Sequence, residues 1–240
     1  MKRIYVLSGL LFLLSAWSFL FAVSPTPAER EAFNAWFKST VASGRQGVPF
    51  SFLYDGVTST EAMKNWKRSI SYRALDKRRT AWTLRMEEPS GPLAVSCSCI
   101  VYHDFPAMDW FAEFSNRGTG PTPILESIQA MDVTWKEALA GHFLLHHSKG
   151  EYNSAESFRP MVDTLTTGGS IVLEPHGGRS SDGEMPFFNL QWQKQGVIVA
   201  LGWTGQWQAS FAGQTDHSVR VRAGLAKTHL SLQPGESIRT

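Results

Sequence analysis

Trp203 and Trp207 stand four residues apart on either side of Gly205, at the corner Gly202-Trp203-Thr204-Gly205. Two flat apolar indoles at the end of a sheet offer a surface on which a ring-shaped ligand or a neighbouring domain can lie. The polar loop Gly178-Arg179-Ser180-Ser181-Asp182-Gly183 shortly precedes them, so Arg179 and Asp182 are the candidate hydrogen-bonding partners of such a ligand. His176, two residues from Glu174 and next to Gly177-Gly178, is the candidate acid or base. The competing reading is that both indoles simply close the core at the end of the sheet.

Other chemistries find less support. There are seven histidines, but His146 and His147 are adjacent and in a strand would face opposite ways, and no zinc-type spacing is present. No metal or other cofactor is expected. There is no Gly-x-Ser-x-Gly elbow for a nucleophilic serine. The two cysteines, Cys97 and Cys99, lie two apart in an extended run, on one face but too far apart at Cβ for a disulfide; they read as unbridged core residues rather than reactive thiolates. Glycoside hydrolysis needs two carboxylates facing each other, usually at the ends of barrel strands. Asp109, Glu113 and Asp132 are strand-borne acids without the α/β alternation that builds such a barrel, and read as solvated sheet-face residues.

These candidates must be positioned by strands. Met185 to Trp192, Val197 to Trp203 and a third run from Trp207 form a meander. Upstream, Val48–Tyr54, Arg68–Leu75, Thr80–Glu87, Leu93–His103, Met108–Ser115 and Ile124–Trp135 are short, rich in β-branched or aromatic residues, and separated by turn residues. Trp82, Leu84 and Met86 alternate with Thr83, Arg85 and Glu87, the pattern of a half-buried strand. His142–His147 and Ser170–Leu173 add further strands, with a polar surface loop over Lys149–Ser157. His217–Arg222 and Ala226–Leu232 read as a closing hairpin through Ala223-Gly224, and the extended end after Pro234-Gly235 reads as a cut edge with nothing to pair with. The fold class is all-β, an antiparallel sandwich.

Two segments precede it. Pro27 to Ser43 carries Ala28, Phe33, Trp36, Phe37 and Val41 at helical spacing behind Thr26, a suitable N-cap, with Pro27 in the first position. A short helical turn is expected over Ser59–Trp66. Residues 1–24, with Lys2 and Arg3 before an apolar run, have the anatomy of a signal peptide, which implies a secreted or periplasmic protein with no membrane contact after cleavage; an uncleaved anchor is the rival. The division is therefore 1–24 signal, 25–47 helix and 48–240 β domain. Without Lys2 and Arg3, the 23 basic residues fall level with the 21 acidic ones, so no nucleic-acid partner is indicated.

Several blocks carry a resemblance. Asp104 to Trp110 (DFPAMDW), Asn116-Arg117-Gly118-Thr119, Thr122 to Glu126, GRSSDGEMPFFNLQW from Gly178 and GWTGQWQASF from Gly202 together resemble the N-terminal β-supersandwich domain of α-galactosidases of glycoside hydrolase family 36. The resemblance covers roughly Val48 to Thr240 and implies a galactose mutarotase-like β-supersandwich. It also implies a (β/α)8 barrel partner that bears the two catalytic aspartates, neither of which has a counterpart here. An α-galactoside or oligosaccharide ligand and a homo-oligomer are further implied. A non-catalytic N-terminal domain is the expectation, and a free-standing carbohydrate-binding module using Trp203, Trp207, Arg179 and Asp182 is the alternative. The fold alone does not license mutarotase activity.

Overall fold

The computed structural model describes residues 24–42, 47–136 and 142–240; nearly all of the expected signal segment therefore lies outside the described residues. Helix α1 (Pro27–Phe37) begins where its sequence signals place it. Thr26 Oγ1 accepts from the Glu29 N–H at 3.2 Å and the Glu29 carboxylate accepts from the Thr26 N–H at 2.6 Å, a closed capping box. The helix passes into one π turn at Lys38–Ala42; Ser43, its expected last residue, is not among the described ones. Phe37 and Val41 are buried against Cys99 and Val101, Trp36 stacks on Trp135, and Phe37 meets Trp82 edge-on at 5.3 Å.

Strands β1 (Ser51–Tyr54) and β2 (Val57–Thr58) lead into a short helix α2 (Ser59–Ala62) and a 3-10 turn, Met63–Asn65. Then come β3 (Lys67–Ala74), β4 (Arg79–Glu87), β5 (Leu93–Tyr102), β6 (Ala107–Asn116), β7 (Leu125–Gln129) and β8 (Met131–Lys136). They are followed by β9 (Phe143–Ser148), β10 (Pro160–Leu165), β11 (Ser170–Leu173), β12 (Phe187–Trp192) and β13 (Gln195–Ala200). The last four are β14 (Trp207–Gly213), β15 (Ser218–Leu225), β16 (His229–Leu230) and β17 (Ser237–Arg239).

These strands form four antiparallel sheets, in the orders β16-β7-β1-β2, β17-β6-β5-β4-β3, β10-β9-β12-β13 and β11-β14-β15-β8. The first two share a core in which Phe52 meets Phe114 edge-on at 5.0 Å, with Leu84, Met86, Val95 and Leu125 around them. The other two share a second core, built around Trp207, Phe188 and Phe211. The alternation read in β4 holds, since Leu84 and Met86 are buried and their neighbours half-exposed.

Cys97 and Cys99 are buried and unbridged, and burial pushes both thiols up, Cys99 to about 12. At pH 8 such a thiol is ionised in only about one molecule in ten thousand. Iodoacetamide at that pH is therefore expected to leave both cysteines unmodified in the folded chain and to label both after unfolding. Native labelling at the rate of a free thiol would contradict the burial.

Three sequence expectations are corrected, and one strand that the sequence does not announce is added. Ile124–Trp135 is not one strand: the chain leaves the first pair of sheets at Ala130, so that Ile128 is buried in one core and Met131 in the other. The closing hairpin does not exist. β15 runs straight through Ala223-Gly224, where the chain passes so close to β7 that a Cβ on Gly224 would lie 2.6 Å from the Ile128 carbonyl oxygen. Gly224 serves close approach rather than a turn. The C-terminal extended segment has a partner, because β17 pairs with β6 and the Thr240 N–H donates to the Ala112 carbonyl. Finally, β10 went unread: it is an edge strand beginning at Pro160 with Leu165 alone buried, so its hydrophobic period is faint.

Candidate functional site

β11 ends at Leu173 and β12 begins at Phe187; β13 ends at Ala200 and β14 begins at Trp207. The connections 174–186 and 201–206 therefore emerge at the same end of the second pair of sheets, and hydrogen bonds fasten one to the other. The Ser180 N–H donates to the Thr204 carbonyl at 3.2 Å. Gln206 bridges the two connections, its Oε1 accepting from the Gly178 N–H at 3.0 Å and its Nε2 donating to the Pro175 carbonyl. Gln208 Nε2 reaches Glu174 at 3.0 Å. Within the loop, the His176 N–H donates to the Asp182 carbonyl at 2.7 Å and Arg179 Nη2 donates to Asp182 Oδ2 at 2.7 Å.

A second layer holds the loop from below. The Gly150 N–H donates to the Gly183 carbonyl and the Glu151 N–H to the Ser181 carbonyl. Gly183 takes φ +92°, and a Cβ there would lie 2.7 Å from the His176 ring, so only glycine seats the loop in this way. The next residue, Glu184, is buried and ion-paired to Lys149, and its other oxygen lies 3.6 Å from Nδ1 of the buried His147, whose Nε2 contacts Asp163 at 2.9 Å. His146 points the other way, to Gln191.

The five residues singled out from sequence separate cleanly. His176, Arg179 and Trp203 are exposed, Asp182 is half-buried beneath Arg179, and all four lie on the linked loop and corner. Trp203 is 38 % exposed, and its indole lies against Gly205. Trp207 is different. At 0 % exposure it is a core residue, edge-on to Phe188, with Nε1 donating to the Ser180 carbonyl at 2.7 Å, so no ligand lies on it. Its apolar setting and its N–H partner below the loop make it the foundation on which Ser180 rests.

Gln206 was missed from sequence; an amide between two tryptophans in a tight corner was its only signal. The strand-borne acids do not converge, because Asp109 and Glu113 lie on β6 whereas Asp132 lies on β8 in a different sheet. Asp109 accepts from the Tyr102 hydroxyl at 2.7 Å, and the Asp132 carboxylate accepts from Nε and Nη2 along one edge of the Arg220 guanidinium. Among the described residues, no three His, Cys, Asp or Glu side chains gather in a metal-holding group, and no helix is long and apolar enough to cross a membrane. The loop and corner thus offer an aromatic edge, a guanidinium, an imidazole and amides, a set suited to hydrogen bonding and stacking.

No family model matches the chain, and neither does any curated protein sequence. Solved structures do match. The GH36 α-galactosidase AgaA of Geobacillus stearothermophilus superposes with a TM-score of 0.59 at 18 % identity, over 80 % of this chain and 29 % of that enzyme. The galactosidase domain of the α-galactosidase-sucrose kinase AgaSK gives 0.62 at 15 %, over 80 % and 28 %. An α-galactosidase from Lactobacillus brevis gives 0.62 at 14 %, again over 80 % and 28 %. This chain spans under a third of the length of those proteins, and what it shares with that part of the GH36 α-galactosidases is the β-rich fold.

Proposed function

We propose that the chain is the non-catalytic N-terminal domain of an exported α-galactosidase-like glycoside hydrolase, a galactose mutarotase-like β-supersandwich. In this reading it packs on a (β/α)8 barrel, shapes the rim of that barrel's pocket for an α-galactoside or oligosaccharide, and contributes to a homo-oligomer. The observation that carries it is the match of 80 % of this chain to under a third of several α-galactosidases. The resembling sequence blocks support it by their structural work. Asn116 Nδ2 donates to the carbonyls of Gly120 and Leu232, each at 2.8 Å, and Asn116 Oδ1 accepts from the Gly118 N–H. The Asn-Arg-Gly-Thr block thereby ties β6 to the C-terminal segment.

The test is association. The purified chain is mixed with a family 36 barrel expressed without its own sandwich, and co-elution on gel filtration is expected; separate elution at concentrations of tens of micromolar would count against the reading.

A second reading, a free-standing carbohydrate-binding module, is favoured by the exposed Trp203 on a corner hydrogen-bonded to the loop that bears Arg179, His176 and Asp182. It predicts heat on calorimetric titration of galactose or raffinose that disappears in Trp203→Ala. Equal heat in both proteins would remove Trp203 from the site.

A further inference from the structure

The chain's charges balance overall but not locally. Residues 64–79 hold seven basic side chains against one acid, Asp76. That acid is taken by Arg79 at 2.8 Å, and the nearest sheet-face acid, Glu87, is shared by Arg85 and Arg117. Lys67 stands opposite Glu87 in the β3–β4 register and within its electrostatic reach, while Arg68, Arg73 and Lys77 have no ion pair among the described residues.

Three of these four lie on β3, the outer strand of the sheet β17-β6-β5-β4-β3, paired on one side with β4 and on the other with nothing among the described residues. Every residue of β3 except Arg68 is exposed. Strand parity puts Lys67, Ser69, Ser71 and Arg73 on one face and Ile70 and Tyr72 on the other. Tyr72 is 70 % exposed although its ring stacks on Trp82 at 4.5 Å, so a ready-made apolar shelf lies open beside the free edge.

We propose that the β3 edge is a strand-addition site for an extended segment of a partner protein in which acidic and apolar residues alternate. The free N–H and C=O groups of β3 would continue the ladder. The acidic residues of the incoming strand would lie across from Lys67 and Arg73, and its apolar residues would extend the Tyr72–Trp82 shelf past Ile70. A second copy of this chain is the poorer occupant, because pairing β3 with itself gathers two sets of basic side chains on one ladder, where like charges repel. The same cations that deter self-pairing recruit the opposite charge.

The test uses the whole chain and a fluorescein-labelled peptide of seven residues alternating Glu and Val, read by fluorescence anisotropy. Saturable binding is expected, with an affinity that falls as salt rises. Two changes separate strand addition from plain charge attraction. Lys67→Gln combined with Arg73→Glu, which sets no acid against Glu87, should weaken binding about tenfold or more while leaving the thermal midpoint in place. N-methylation of alternate peptide amides, which keeps every charge but removes ladder donors, should weaken it by a similar factor. An N-methylated peptide that binds as well as the parent would mean a general polyanion surface and overturn the proposal. Unchanged binding by the doubly substituted chain would overturn it as well, as would the absence of binding by the parent peptide.

Discussion

Trp207→Ala is expected to unfold about 10 °C below the unsubstituted chain, the counterpart of roughly 3–5 kcal/mol in a domain of this size. The side chain is fully buried between two sheets, edge-on to Phe188, and no neighbour can expand to fill an indole-sized void. The loss also has a polar part, because the Ser180 carbonyl beneath the loop loses its 2.7 Å donor. Trp207→Phe separates the two. It keeps most of the apolar volume and drops the hydrogen bond, so its cost should be about 1–2 kcal/mol, with the amides of the 178–183 loop losing hydrogen-exchange protection. Trp203→Ala, by contrast, should lie within about 0.5 kcal/mol of the parent, since its indole sits on the surface over Gly205. A large loss in Trp203→Ala together with a small one in Trp207→Ala would invert the assignment of core and surface.

Glu184→Ala should cost about 2–4 kcal/mol. The side chain is only 9 % exposed; one oxygen is ion-paired to Lys149 and the other faces His147 Nδ1 at 3.6 Å. Removing it leaves a lysine ammonium that is a quarter exposed without its carboxylate, whereas the buried His147, whose Nδ1 at 3.6 Å is beyond hydrogen-bond reach of Glu184, keeps its contact with Asp163. The partial exposure of Lys149 lets water take up some of the loss, which keeps the expected cost below that of a fully enclosed pair. The effect should also travel to the candidate site, because Glu184 follows Gly183, whose carbonyl accepts from the Gly150 N–H. Hydrogen exchange at Gly150 and Glu151 is expected to quicken in the variant. The double change Lys149→Met with Glu184→Leu should recover much of the stability, since removing both partners leaves no orphaned charge. A double variant as unstable as Glu184→Ala would show that packing, and not the ion pair, was lost.

The parts of the fold that were legible in the sequence are those where one face of a strand is buried. β4 alternates plainly, and the helix carries its own punctuation in Thr26 and Pro27. What was illegible depended on contacts distant in the chain. Nothing local marks Ala130 as the point where the chain changes sheets, because strand residues continue on both sides of it. Gly224 looks like a turn residue until the backbone of β7 is brought against it. The same holds for the candidate site. Arg179, Asp182, His176 and Trp203 stand out in the sequence because polar loop residues beside an aromatic corner are a local signal. Trp207 carried the same local signal, yet it faces inward. Its parity with Ala209 and Phe211 along β14, rather than its spacing from Trp203, was the informative relation.

The proposal that this is a non-catalytic domain is tested most directly by incubating the purified chain alone with a chromogenic α-galactoside. Chromophore release at the buffer rate is the predicted result, because Asp109 is held by Tyr102, Asp132 lies in a different sheet from Asp109 and Glu113, and Asp182 is bound by Arg179. Release well above that rate, falling when Asp109, Glu113, Asp132 or Asp182 is changed to its amide, would place a hydrolytic site within these 240 residues and contradict the account.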